Sequence, residues 1–244
     1  MTWDGKLRAQ NYDKLEWTNR EEYNSLLIKA CNLKSNYHVC DVGTGTGKVA
    51  EELAKYCAKV TALDQSQEML EIAIAKRNKS NIFYENMNAE KILHKNDYFD
   101  AVVSRMAFHH INHQNLAIKE CIRILKPGKK FVISEGVPPP GTRHFYTEMF
   151  KLKEERRTYT IDDLIELLEH GNLKNIEIII HKIPSVSISN WLGNSGLPKE
   201  ICEKIYNMHL DCEDYVKKAY DMKIIDGDIL MDWRTAIVSG VKSH

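Results

Sequence analysis

"VCDVGTGTGKVAEELA", residues 39–54, decides the fold of this chain. Gly43, Gly45 and Gly47 fall within five residues, between an apolar run and a run with helical spacing. Glycine belongs where the backbone turns left-handed or where another group presses against the main chain. The stretch therefore reads either as a seat for a cofactor or as a tight strand-to-helix turn with no ligand. A phosphate loop needs GxxxxGK[ST], but Val49 follows Gly47-Lys48. A dinucleotide loop needs GxGxxG, but the sixth position from Gly43 is Lys48. What remains is an acid followed by GxGxG, Asp41 to Gly47.

Outward from the loop, strands and helices alternate. Residues 37–43 read as a buried strand, and 48–58 carry Val49, Leu53, Ala54 and Cys57 at helical spacing. Residues 59–64 make a second strand, and 66–77 a second helix capped by Ser66. Strands follow at 81–86 and 99–105, then a helix over 114–125 that stops at "KPG", and a fifth strand over 129–135. Past residue 136 come a "GVPPPG" loop, a charged and aromatic run over 142–158, and a helix over 160–171 with a Thr160–Asp163 capping box. Sixth and seventh strands are expected at 173–183 and 233–242, separated by residues 184–232, which read as mainly helical. This pattern predicts an α/β fold, a doubly wound Rossmann-like sheet covered on both faces.

Composition narrows the function. The chain has 244 residues, with 34 Lys plus Arg against 34 Asp plus Glu. Zero formal charge gives no overall positive field for nucleic acid. The six cysteines form no CxxC pair and read as reduced thiols of a cytoplasmic protein. The N-terminus is polar and has no signal-peptide core, and no apolar run approaches the roughly 20 residues of a membrane span.

The Asp41–Gly47 pattern resembles motif I of the class I S-adenosylmethionine-dependent methyltransferases. "VTALDQSQEML", "NMNAE" and "YFDAVVSRMAFHHINHQNLAIKECIRILKPGKKFVISE" are similar to the family's later motifs, in order, over residues 37–135. Lys129 stands where the "RxLKPGG" signature has its last glycine, and Asn88 where the third motif usually has an acid. The similarity is nearest to the ubiquinone- and menaquinone-biosynthesis group. It implies a seven-stranded sheet with the last strand antiparallel, S-adenosylmethionine as cofactor, and methyl transfer. It further implies that Asp41, Gly43, Thr44, Gly45 and Gly47 hold the cofactor's tail. Asp64, Gln65 and Met69 would hold its ribose side, Asn88 and Ala89 its adenine, and Ser104 and Arg105 the end of strand four. The chemistry agrees: bare backbone admits the ribose and tail closely, and a carboxylate at the tip of strand two accepts from a diol. Asp64 also reads simply as a helix N-terminal carboxylate beside Ser66.

The acceptor side is less legible. Residues 1–30, with Trp3, Tyr12, Trp17 and Tyr23, are expected by resemblance to form a helical lid in which Tyr12 and Trp17 touch the cofactor. The bland alternative is an aromatic helix packed on the sheet. Residues 31–183 and 233–244 would form the methyltransferase domain, and 184–232 a helical cap. In 190–232 five lysines face nine acids, and Trp191, Tyr206, Tyr215 and Tyr220 suit a cap with an apolar inner face. Arg143 or Arg157 is a candidate clamp for a carboxylate or phosphate. His109, His110 and His144 are candidate bases, with loop packing as the competing role of the pair. No metal site is expected, because His109-x3-His113 has no third ligand nearby in sequence. The favoured reading is a methyltransferase for a small-molecule acceptor. RNA or protein methylation, and a non-catalytic S-adenosylmethionine-binding module, are the alternatives.

Overall fold

Strands that read as unbroken apolar runs need cover on both faces. The computed structural model, which describes residues 5–77 and 79–243, provides it. Five strands run parallel: β1 (His38–Val42), β2 (Lys59–Asp64), β3 (Ile82–Asn86), β4 (Phe99–Arg105) and β5 (Leu125–Gly136). Three more follow, β6 (Leu173–Ser187), β7 (Lys223–Ile225) and β8 (Asp228–Lys242). The order is β3-β2-β1-β4-β5-β8-β6, with β8 antiparallel to both of its neighbours and β7 paired to an extension of β8. Strand order reverses between β1 and β4, the place where open α/β sheets bind ligands beyond their strand ends.

Ten α-helices occur among the described residues: α1 (Gly5–Asn11), α2 (Glu21–Cys31), α3 (Lys48–Leu53), α4 (Gln67–Lys76), α5 (Gln114–Ile124), α6 (Arg143–Lys153), α7 (Ile161–His170), α8 (Ile188–Gly193), α9 (Lys199–Leu210) and α10 (Asp214–Ala219). Two buried clusters result. Val39 joins Leu27 and Leu53 in one, and its neighbour Cys40 joins Ile118 and Cys121 in the other. This is the alternation expected of a strand with both faces covered. Tyr23 of α2 is fully buried; its hydroxyl shares a 2.7 Å hydrogen bond with Ser134, and its ring stacks on His181. Ser66 caps α4, and Thr160 and Asp163 form the capping box of α7.

Several local readings change. The helix at 48–58 ends at Leu53. The helix does stop before "KPG", but strand five starts earlier than residue 129: α5 passes directly into β5 at Leu125, and residues 126–129 bulge between the Phe99–Leu125 and Ala101–Lys130 pairs. Strand pairing extends beyond the expected limits, β6 to Ser187 and β8 back to Asp228. Asp226 and Gly227, both at positive φ, form a two-residue turn that folds β7 onto β8. Asp-Gly between apolar runs is a hairpin signal, so this element was readable. The stretch 184–232 thus contains α8, α9, α10 and β7. The run at 142–158 is less solvated than its charge implies, since α6 buries Phe145, Met149 and Phe150. Trp3 lies outside the described residues.

Gly43 has φ +73°, and a Cβ there would stand 2.3 Å from the Ala107 Cβ. Gly43→Ala is expected to destabilise the protein by about 1–3 kcal/mol through backbone strain and overpacking, read from its guanidinium unfolding midpoint.

Candidate active site

The glycine loop and the tip of β2 are bonded to each other. Gly43 and Thr44 N–H both donate to the Leu63 carbonyl, at 2.8 and 2.9 Å. Gly45 N–H donates to Asp64 Oδ2 at 2.7 Å, and Ser66 N–H donates to Asp64 Oδ1 at 2.9 Å. Burial raises the Asp64 carboxyl and these backbone donors lower it, the net shift being upward. Each carboxylate oxygen has two lone pairs, so the anchor leaves capacity for further donors. A Cβ on Gly45 would meet nothing within 4 Å, so this main chain borders open space.

That space is a cavity of about 430 Å³, within the range of small-molecule sites. Of the residues picked from the sequence, Gly43, Thr44, Gly45, Asp64, Gln65 and Met69 line one side. Asn88, Ala89, Arg105 and Tyr12 line the rest. Asp41, Gly47, Ser104 and Trp17 do not line it. Asp41 is buried behind the loop, where Thr44 Oγ1 donates to its Oδ2 at 2.6 Å; its Oδ1 has no hydrogen-bond partner among the described residues. Burial pushes its carboxyl up to about 6, against the Thr44 bond and the Arg105 charge. Ser104 is buried and donates to the Val42 carbonyl at 2.9 Å. A Cβ on Gly47 would meet the Tyr84 hydroxyl at 2.7 Å, so its bareness serves packing. Asn88 Oδ1 accepts from Glu90 N–H at 2.7 Å, and Glu90 pairs with His113, joining two walls of the cavity.

A clamp absent from the sequence reading holds the N-terminal segment over the loop. Asp13 accepts from Thr46 Oγ1 at 2.8 Å, Arg77 Nη2 at 2.9 Å and Lys76 Nζ at 3.0 Å. Burial raises the Asp13 carboxyl, but the Arg77, Thr46 and Lys76 hydrogen bonds outweigh it and hold the group below its usual value. Lys48 reaches Thr18 and Asn19 from beneath.

A second, aromatic-lined cavity of about 90 Å³ shares Tyr12 and Met106 with the first. The histidine pair stands between them: His110 lines the larger cavity and His109 the smaller. His109 Nδ1 lies 2.5 Å from Glu135 Oε2, and its N–H donates to Oε1 at 3.3 Å. Glu135 is fully buried, and burial pushes its carboxyl up to about 7 against the charges of Arg156 and His110. Glu135 and Glu154 carried no signal in a single sequence. Ligand atoms of His109, His110 and Glu154 fall within 4.8 Å of one another. Glu154 is ion-paired to Lys153 at 3.0 Å and flanked by Arg156 at 3.6 Å, so the trio is part of a charge network. His113 turns instead to Glu90, and His144 is exposed on α6 and lines neither cavity.

Residues 40–133, which carry the loop, Asp64 and the pair-bearing turn after β4, match the family model of the methyltransferase domain. The chain carries a methyltransferase domain. It is an S-adenosylmethionine-dependent methyltransferase, and S-adenosylmethionine is its cofactor. It is similar to an uncharacterized methyltransferase of Bacillus subtilis, YcgJ, with 23% identity over 72% of each chain. The crystal structure of YcgJ superposes with a TM-score of 0.83 and 20% identity, covering 92% of this chain and 100% of that one. The ubiquinone/menaquinone biosynthesis C-methyltransferase UbiE of Zymomonas mobilis is 35% identical over 44% of this chain and 46% of its own length. The methyltransferase fold also matches Haemonchus contortus phosphoethanolamine N-methyltransferase 2 in complex with S-adenosyl-L-methionine, with a TM-score of 0.68 at 16% identity over 95% of this chain and 56% of that one. No helix among the described residues is long and apolar enough to cross a membrane.

Two outcomes follow from the geometry of this methyltransferase. Asp13→Asn is expected to loosen the N-terminal segment by about 1–2 kcal/mol, seen as roughly tenfold faster tryptic cleavage at Lys14. The second concerns pH. Glu135 holds its proton more tightly folded than unfolded, so its contribution is full below the usual glutamate range and fades as pH rises toward 7. Stability should therefore fall between pH 4.5 and 7 by up to about 1.4 kcal/mol for each pH unit of that raised pKa. Denaturation of Glu135→Gln at both ends of the window should show a flatter slope than the parent.

Proposed function

We propose that this methyltransferase acts on a small-molecule acceptor held in the cavity behind Tyr12 and Met106. The observation carrying the proposal is the junction: two cavities meet at Tyr12 and Met106, with His110 on one side and His109 on the other. When bound, S-adenosylmethionine supplies a methyl group on a cationic sulfur that departs as a neutral thioether. Asp64 accepts from the ribose diol, the Gly43–Gly45 backbone lies against the tail, and Asn88 and Ala89 border the adenine. Arg105, anchored at 2.7 Å to Asn24 of α2, stiffens the wall. Asp41 acts through Thr44, shaping the loop from behind.

In-line displacement asks mainly for alignment and exclusion of water. Residues 5–30 act as the lid, with Asp13 as its fastener, and α8, α9 and α10 within 184–232 form the cap. Where the acceptor nucleophile carries a proton, His109 takes it. The Glu135 contact at Nδ1 fixes the ring and stabilises the charged imidazole, leaving proton transfer to Nε2. Protein residues or nucleotides do not suit a recess of about 90 Å³. All six cysteines are free thiols, which supports a reducing, cytoplasmic setting.

Titration calorimetry should show S-adenosylmethionine binding that weakens roughly tenfold to a hundredfold in Asp64→Ala. Incubation with methyl-labelled cofactor and a low-molecular-mass metabolite extract should label a small product. His109→Gln should then lower kcat about a hundredfold or more for an O–H or N–H acceptor while leaving cofactor binding intact. Binding without any labelled product would favour the non-catalytic module.

A further inference from the structure

The smaller cavity is aromatic, yet the hydrogen-bond groups left over at its wall are an arginine N–H edge, an indole N–H and the Tyr220 hydroxyl, each able to donate. Arg156 is the main one. Its side chain is 6% exposed, and its guanidinium carbon lies 4.1 Å from the centroid of the Phe150 ring. Its Nη1 is 3.6 Å from Glu154 Oε1, its Nε reaches only the adjacent Arg157 carbonyl at 3.5 Å, and its Nη2 has no hydrogen-bond partner among the described residues. The Tyr146 phenol takes part of the guanidinium's capacity through a side-chain hydrogen bond; burial holds that phenol above its ordinary pKa, with the guanidinium pulling the other way. Glu154, the nearest acid, is already engaged by Lys153 at 3.0 Å. In the same wall Trp17 Nε1 is a buried donor with no partner among the described residues.

A guanidinium keeps its charge at any physiological pH, so burying it with an unused N–H edge is unfavourable unless an acceptor completes it. Planar, paired oxygens are its best complement. The stacking on Phe150 fixes the plane in which they must arrive. We propose that the methyl acceptor is a small carboxylate on an apolar body, its carboxylate held by Arg156 and its body lying among the aromatic side chains. This rests on the reading of the smaller cavity as the acceptor site. Engineered cavities of about 150 Å³ admit benzene. A recess of about 90 Å³ therefore limits the body to a short chain, or to a single ring accommodated by adjustment of the wall.

The test uses benzoate and its neutral isostere benzamide, titrated into the full chain saturated with S-adenosylhomocysteine. Trp17, Trp191 and Trp233 line the cavity, so intrinsic fluorescence reports occupancy. Benzoate should bind about tenfold or more tightly than benzamide, the effect of one charge-assisted hydrogen-bond pair. Arg156→Gln should erase that ratio and Arg156→Lys should keep part of it, with S-adenosylhomocysteine affinity unchanged in both. Equal affinity of the two probes in the parent chain, a ratio that survives Arg156→Gln, or no saturation by millimolar benzoate would each overturn the proposal. The parent ratio stands whether or not a variant folds. Loss of S-adenosylhomocysteine binding by the parent would instead strike the cofactor site and the reading beneath it.

Discussion

The hydrogen bond from Gly45 N–H to the Asp64 carboxylate joins the tips of β1 and β2, and the larger cavity takes its shape from that joint. A peptide donor can meet a neighbouring carboxylate there only if the loop turns through left-handed backbone, and Gly43, Gly45 and Gly47 all have positive φ. Ser66 N–H holds the other carboxylate oxygen, so α4 begins at the same anchor. One acidic side chain thus positions a strand end, a loop and a helix start. Sheet order then places this joint beside the β1–β4 reversal, where loops from both halves converge.

Around the joint, polar groups are spent in two ways. Near the larger cavity they fasten pieces of backbone: Asp13 ties the N-terminal segment to the loop and to α4, and Glu90 with His113 ties the β3 end to the turn after β4. Near the smaller cavity they form a charge cluster enclosed by aromatic rings. Glu135, Glu154, Lys153 and Arg156 are brought there by β5 and by the end of α6. Low dielectric surroundings make such a cluster strongly orienting, and make any mismatch in it costly.

The fold class was legible because both of its signals are local. The GxGxG loop and the apolar runs of β1, β2, β4 and β5 need no partner to be recognised, and Ser66 and Thr160 announce their helices within four residues. The limits of β6 and β8 were not legible, since their extra pairs, Val186–Met231 and Ser187–Leu230, join residues more than forty apart. The Asp226-Gly227 turn carries a local signal too, inside a stretch whose periodicity is otherwise helical. At the site, residues on the loop and strand tips line the cavity, whereas Asp41, Gly47 and Ser104 lie behind it. A motif records which residue types recur, and support and contact look alike in one sequence. Asp13 meets Arg77 across sixty-four positions, and Glu135 meets His109 across twenty-six. Periodicity does not report such pairs.

β8 is the bridge between β5 and β6, and it follows every other strand in the chain. While a ribosome is still adding residues before Asp228, β5 has an open flank and β6 has no strand to pair with. The parallel half, with its glycine loop, can assemble first, but the final fifteen-residue strand must slot between two waiting edges. Biogenesis of this protein therefore has a late, insertion-type step, and nascent chains stalled shortly before it present the sticky flanks that chaperones recognise.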